Sequence, residues 1–194
     1  MPTIWRLPLW GVPNGCVSTG CFLVLSQKPT ALFAEVDSCY NQLRKRASLS
    51  SSSLSIVSEL KSGSAWYVPG GCSTIGRLFN DACGRYAFAE DKHSGSIPLA
   101  FETVFDKAGD ADVWTIKYNR DRDMTYSDLK ADYIGYTGFK AFKTRNIYGC
   151  NTAKVPFYEE TPFRPDYLLS DLIQILHPEI GDLGGLRYFC KLNE

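Results

Sequence analysis

The sequence has few of the features that mark a nucleic-acid-binding protein or a familiar enzyme. Its 194 residues carry 21 basic and 21 acidic side chains, so no charge excess indicates nucleic acid or an acidic membrane surface as a partner. No apolar run has the length of a membrane span, and neither a P-loop nor a Gly-x-Ser-x-Gly nucleophile motif occurs. We therefore expect no nucleic-acid partner and no motif-based catalysis.

Metal ligands are also scarce. Only two histidines are present, and the seven cysteines include no Cys-x-x-Cys pair, so we expect no metal site built by the protein. An odd number of irregularly spaced cysteines argues against a disulfide framework. A bridge between Cys72 and Cys83 stays open as an alternative.

The hydrophobic pattern predicts an α/β fold. A hydrophobic share of 44% suits a globular core, and an amphipathic helix with Thr30 as its cap begins the regular part of the chain. Strands and helices alternate after a serine-rich connection. We predict strands at 54–57, 65–68, 86–88, 113–116 and 146–148, and helices at 74–83, closed by Gly84, at 101–108, at 126–130 and from Pro165 to Leu176.

The segment Gly63–Gly76 is central to this pattern. A strand containing Trp66 and Tyr67 ends at Pro69-Gly70-Gly71, and Ser73 follows as a helix cap. Ligands of open α/β sheets collect at the carboxyl ends of strands, so the two aromatic side chains are candidates for stacking on a flat or apolar ligand. Burial of both in the core is the alternative.

Several blocks of sequence resemble one family in the right order. They are Gly-Ser-Ala-Trp-Tyr-Val-Pro-Gly-Gly at 63–71, Ser-Gly-Ser-Ile-Pro-Leu-Ala-Phe-Glu at 94–102, and the segments at 139–142, 164–172 and 175–179. Together they resemble the substrate-binding proteins of ABC importers for iron complexes, haem and vitamin B12. The resemblance implies a single βα-sandwich lobe, half of a two-lobed periplasmic binding protein, preceded by a long helix. Residues 29–48 would be the linker helix and 49–194 the carboxyl-terminal substrate-binding lobe.

The first 28 residues do not share this resemblance. From Trp10 to Val17, codon degeneracy permits Gly-Arg-Ala-Glu-Trp-Met-Arg in another frame, which resembles the family segment before the linker helix. We therefore interpret residues 1–28 as an out-of-frame extension in which Trp5, Trp10, Cys16 and Cys21 have no selected role. The start of the chain also lacks the pattern of a signal peptide.

The resemblance implies a ligand cleft and a docking surface. Arg120 and Arg122 are further candidates for ligand carboxylates, and His93 for haem iron, although solvated loop residues would have the same sequence pattern. Glu102 matches the position of the surface carboxylate that docks on the membrane permease; a glutamate that complements its own helix dipole is the alternative. The predicted ligand-binding residues are Trp66, Tyr67, Pro69, Ser94, Gly95, Ser96, Tyr118, Asn119, Tyr148 and Asn151.

The function expected from this resemblance is ligand binding without catalysis or cofactor. The chain would be a truncated, monomeric component of an importer for a siderophore, haem or cobalamin, acting in the periplasm or at the outer face of the inner membrane. Two alternatives stay open: a nonfunctional remnant of such a gene, and an α/β enzyme with an anion site at the turn 70–73.

Overall fold

The computed structural model describes residues 27–181 and 183–194, with side chains described from residue 31. The predicted out-of-frame extension therefore lies outside the described residues, except for positions 27 and 28, which are helical. Among the described residues, no helix combines the length and apolar character needed to cross a bilayer.

A five-stranded sheet forms the centre of the lobe. Its strands are β1 (Ser55–Ser58), β4 (Arg85–Tyr86), β6 (Val113–Tyr118), β7 (Ile147–Asn151) and β8 (Cys190–Lys191), in the order β4-β1-β6-β7-β8. The first four are parallel, and β8 is antiparallel to β7. The central strand β6 is buried along nearly its whole length, as expected for a parallel sheet covered on both faces.

Helices cover this sheet. They are α1 (Gln27–Ser48), α2 (Thr74–Asp81), α3 (Phe101–Ala108), α4 (Tyr126–Asp132), α5 (Lys140–Lys143), α6 (Phe157–Glu160) and α7 (Pro165–Leu176), with 3₁₀ turns at Ile134–Gly138 and Pro178–Ile180. The long helix α1 packs on α7, and its residues Val36 and Tyr40 are fully buried. The Tyr40 hydroxyl donates to Asp81 at 2.8 Å, and Glu35 pairs with Arg164 at 3.5 Å, so polar contacts also hold α1 to the lobe.

A second, antiparallel sheet lies beside the first. It consists of β2 (Lys61–Ser62), β3 (Ala65–Pro69) and β5 (Ser96–Leu99), in the order β2-β3-β5. Trp66 of β3 is fully buried and stacks on Trp114 of β6, with ring centroids 5.6 Å apart. Phe139 and Tyr136 also contact both indoles. This aromatic cluster joins the small sheet to the central one.

Most predicted elements are present, with several corrections. Helix α1 begins at Gln27, so Thr30 lies inside the helix and not at its cap. The left-handed residue after α2 is Cys83, with φ +55°, while Gly84 donates its N–H to Phe79 O at 2.9 Å. Cys72 and Cys83 are separate free thiols, so the alternative of a bridge is not realised. Short elements that the pattern missed are β2, β5, α5, α6 and β8.

Trp66 and Tyr67 offer a matched test of the aromatic cluster. Trp66→Ala should lower the free energy of unfolding by about 3–5 kcal/mol, because it empties a buried aromatic site. Tyr67→Ala, next in sequence but 49% exposed, should change it by about 0.5 kcal/mol or less. Urea unfolding followed by far-UV circular dichroism measures both, and equal losses would contradict the assignment of Trp66 to the core.

Asp112 fixes the amino-terminal edge of the sheet. Its carboxylate accepts hydrogen bonds from the Ser55 N–H (2.9 Å), the Ser55 hydroxyl (2.7 Å) and Lys140 Nζ (2.6 Å). Partial burial opposes ionisation of Asp112, but the hydrogen bonds from Lys140 and Ser55 outweigh it and lower the pKa to about 2. Because this pKa lies below the ordinary value of ~3.9, the ionised carboxylate stabilises the fold above that pH.

Asp112→Asn should therefore be less stable than the native chain near neutral pH. As pH falls from about 4 to about 2, the native carboxylate takes up a proton, and the difference in stability between the two proteins should shrink. Urea unfolding of both proteins at pH 6, 4, 3 and 2.5 measures this difference. A gap that stays constant across the range would show that Asp112 does not contribute through its charge.

Candidate functional site

The parallel strands β1, β6 and β7 end on one edge of the central sheet, here called the carboxyl edge. Asn119 follows β6 and is exposed, and its side-chain amide donates to Thr152 Oγ1 at 3.3 Å. Glu59 follows β1 and has φ +67°. Backbone ends and polar side chains of neighbouring strands thus converge at this edge, which is where open α/β sheets bind ligands.

Tyr118, Asn119 and Asn151 lie at the carboxyl edge as predicted, whereas Tyr148 is the second residue of β7 and lies toward the opposite edge. Tyr118 pairs with Asn151 in the strand register, and Tyr148 pairs with Thr115. Asn151 is buried, and its amide donates to Arg120 O at 2.8 Å, so it holds the loop after β6 and has little surface to offer a ligand. The Tyr118 hydroxyl accepts the Met124 N–H at 3.1 Å in the same way. Asn119 is therefore the predicted residue at the carboxyl edge whose side chain is exposed.

The other predicted residues meet on the small sheet. Tyr67 pairs with Pro98 and Pro69 with Ser96, while Gly70 N–H donates to Gly95 O at 2.8 Å. The side chains of Tyr67 and the loop 94–96 are exposed, whereas Pro69 is buried.

Trp66 requires a correction. It is fully buried, its indole N–H donates to Ser58 O at 3.0 Å, and it belongs to the core and not to a ligand surface. The sequence predicts Trp66 at the end of a parallel strand, but β3 belongs to the antiparallel sheet. Successive side chains of a strand point to opposite faces of its sheet, so Trp66 and Tyr67 lie on different faces.

The charged candidates are paired within the protein. Arg120 Nη2 lies 2.7 Å from Asp132, and Arg122 forms two hydrogen bonds with Asp128, at 2.7 and 2.6 Å. His93 Nδ1 lies 2.9 Å from Asp91 in an exposed loop. Within the described part of the chain, no group of three His, Cys, Asp or Glu side chains is placed to hold a metal ion.

The turn 70–73 does not present a free anion site. The Ser73 hydroxyl donates to Gly70 O at 2.6 Å and accepts the Gly76 N–H at 3.0 Å, so it already caps α2. A Cβ at Gly70 would lie 2.3 Å from His93 O, and a Cβ at Gly71 would lie 2.1 Å from Ala89 O. The glycines therefore allow the loop 89–95 to pack directly on the turn, which covers it.

The sequence reasoning missed an ion pair at the carboxyl edge. Lys117 of β6 pairs with Glu59, and both side chains are about four-fifths buried, with 18% and 21% exposed. Lys117 Nζ also lies 5.4 Å from the centroid of the Phe157 ring. The predicted strand 113–116 ends one residue before Lys117. A charged residue directly after a strand, such as Glu59 after β1, is the feature of the sequence that could have indicated this pair.

Glu102 lies in the first turn of α3 and is exposed. The residue before this helix is Ala100, which provides no side-chain cap, so the first-turn carboxylate lies beside uncapped N–H groups. The position thus fits both the predicted docking role and the helix-dipole alternative.

Taken together, the architecture is that of one lobe of a binding protein: an α/β sandwich with a long helix and a polar carboxyl edge. Sequence comparison supports this class. The profile of the family described as periplasmic binding protein matches residues 23–153. The chain belongs to the periplasmic binding protein family.

Individual proteins resemble the chain in sequence or in fold. An uncharacterized lipoprotein of Methanocaldococcus jannaschii is 31% identical over 128 residues, which are 66% of this chain and 30% of that protein. A periplasmic heme-binding protein of Pseudomonas aeruginosa superposes with a TM-score of 0.71 at 14% identity, over 94% of this chain and 64% of that one. The TroA-like protein FepB of Veillonella parvula gives 0.69 at 12% identity, over 94% and 61%.

These comparisons confirm the predicted family and fold. At such identities the solved structures establish the fold alone, an α/β lobe that matches part of a TroA-like periplasmic binding protein. The chain spans less than two thirds of the length of these solved chains and less than a third of its curated relative.

Proposed function

We propose that this lobe forms one wall of the ligand site in the substrate-binding component of an ABC importer. The observation that carries the proposal is the carboxyl edge, where three parallel strands end beside accessible polar side chains. Helix α1 is the linker and residues 49–194 the substrate-binding lobe. Binding by such a lobe requires shape and contact and no catalysis, in keeping with a family of binding proteins.

The proposed ligand is an iron complex, either a siderophore or haem, or else cobalamin. The support is that two solved relatives of the same fold are described as heme-binding or heme-complexed, those of Pseudomonas aeruginosa and S. aureus. The side chains available for contact are Tyr67 and Ser96 on the small sheet, Ser94 in the loop before it, and Asn119 on the carboxyl edge. Pro69, Gly95, Tyr118 and Asn151 shape the backbone around them.

The proposed partner is the permease of the importer, at the outer face of the membrane, with the binding protein acting as a monomer. Glu102 is the candidate contact, because an exposed carboxylate at a helix start is accessible to a basic side chain of a partner. Rim charges act mainly on the rate and orientation of encounter.

Ligand titration tests the proposal. With one wall, the chain should bind haem, cobalamin or a ferric trihydroxamate weakly, since each ~1.4 kcal/mol of lost contact lowers affinity tenfold. Backbone amide NMR shifts of the metal-free or diamagnetic analogues should concentrate near Tyr67 and Asn119 and spare Arg85 at the opposite edge. Saturable nanomolar binding would contradict the one-wall argument, and the absence of shifts at the carboxyl edge with all three ligand classes would refute the proposed function.

Permease docking is tested on the isolated chain. Glu102→Gln should weaken its binding to the permease in lipid nanodiscs about fivefold at low salt, and the effect should fade at high salt. Asp110→Asn, an exposed carboxylate just beyond the other end of α3, is the matched control and should have little effect. Equal effects of the two variants would point to net charge instead of a specific contact.

A further inference from the structure

The end of β1 is held in a costly arrangement. Glu59 is not a glycine, yet its φ is +67°, a left-handed conformation that ordinary residues rarely adopt. The Trp114 indole N–H donates to Glu59 O at 2.9 Å, and the Glu59 N–H donates to Thr115 O at 2.9 Å. Neighbouring residues thus impose the conformation, and strained backbone of this kind is concentrated at functional sites.

The ion pair that Glu59 forms with Lys117 also has an energetic cost. Removing the Lys117 ammonium and the Glu59 carboxylate from most of their water incurs a desolvation penalty that opposes their attraction. The ring of Phe157 provides a further favourable contact for the ammonium. For stability alone, an apolar pair of similar size would serve as well at this position.

A small cavity lies behind the pair, between the sheet and the helices α2, α6 and α7. Its volume is about 20 Å³, and Ser58, Thr115, Lys117 and Glu59 line it together with apolar side chains that include Phe157. Ser58 is 3% exposed, and its Oγ has no hydrogen-bond partner among the described residues. A buried hydroxyl without a partner is unusual, and a water or a ligand oxygen is the kind of group that would satisfy it.

We propose that Lys117 and Ser58 form a subsite for an anionic oxygen group of the ligand, such as a carboxylate of an acid-bearing metal chelate. Without ligand, the Glu59 carboxylate pairs with the Lys117 ammonium in the way that the ligand's carboxylate would. Glu59 is therefore an internal competitor of the ligand group. When the ligand binds, its oxygen accepts from Lys117 Nζ and Glu59 turns to solvent, while the Ser58 hydroxyl gains an acceptor. This subsite rests on the proposed function, since it places the ligand at the carboxyl edge.

The proposal predicts opposite effects for the two partners of one ion pair. The probe is gallium(III) citrate, a diamagnetic chelate with carboxylates, titrated into the full chain and followed by amide NMR. Lys117→Gln should weaken binding about tenfold, because a charge-assisted hydrogen bond is lost, while Lys117→Arg retains most of it. Glu59→Gln should strengthen binding about threefold, because the competing charge is removed from a nearly unchanged shape.

Two controls separate the subsite from general effects. Lys140→Gln breaks the Lys140–Asp112 pair at the opposite edge of the sheet and should leave citrate-complex binding unchanged. The gallium complex of a trihydroxamate without a free acid should bind all variants alike. Thermal unfolding of each variant verifies that it is folded.

The outcomes are distinct. Parallel losses in Lys117→Gln and Glu59→Gln, or no change in either, would overturn the subsite and assign the pair a structural role. A native chain that binds the trihydroxamate complex at the carboxyl edge but not the citrate complex would overturn it as well. Failure of every ligand to shift resonances at the carboxyl edge of the native chain would refute the proposed function itself.

Discussion

Two tryptophan side chains determine how the central sheet ends. The indole of Trp66 donates to Ser58 O and the indole of Trp114 donates to Glu59 O, so consecutive carbonyls at the end of β1 are held from the small sheet and from β6. Each indole is fully buried and must find an acceptor in the core. These two bonds fix the point at which the chain leaves the central sheet and begins the antiparallel one, and with it the conformation of Glu59.

The predictable parts of the fold are those whose limits local sequence decides. Helix α7 follows from the apolar spacing of Leu168, Leu172 and Leu176 and from Pro165 at its first position, and the structure confirms both limits. Strand β3 was also predicted, but its sheet was not, because strand propensity does not specify a partner. Alternation along β3 places the side chains of Trp66 and Tyr67 on opposite faces of the small sheet, Trp66 inside and Tyr67 outside. Which of the two faces is buried depends on the layer that covers it.

The candidate site was predicted less well than the fold, for a physical reason. Polar residues after strands, such as Asn119 and Asn151, have the same sequence signature whether they are free for a ligand or hold the backbone of their own loop. The structure distinguishes them by hydrogen bonding: Asn151 is buried and bonded to Arg120 O, whereas Asn119 is exposed. Arg120 and Arg122 likewise found carboxylates within α4, a pairing that depends on tertiary geometry.

The pair that the pattern missed carries the stronger chemical argument. Lys117 and Glu59 are 58 residues apart in sequence, so no local motif relates them. Pairing of β1 with β6, continued by the bond from Glu59 N–H to Thr115 O, brings the two residues together. The aromatic core thus has two consequences at once. It stabilises the junction of the two sheets, and it holds a carboxylate against an ammonium at the carboxyl edge. In the proposed subsite, the Lys117 ammonium stays paired with the protein's own carboxylate until an acidic group of the ligand replaces it, and a neutral molecule of the same shape has no group that can do so.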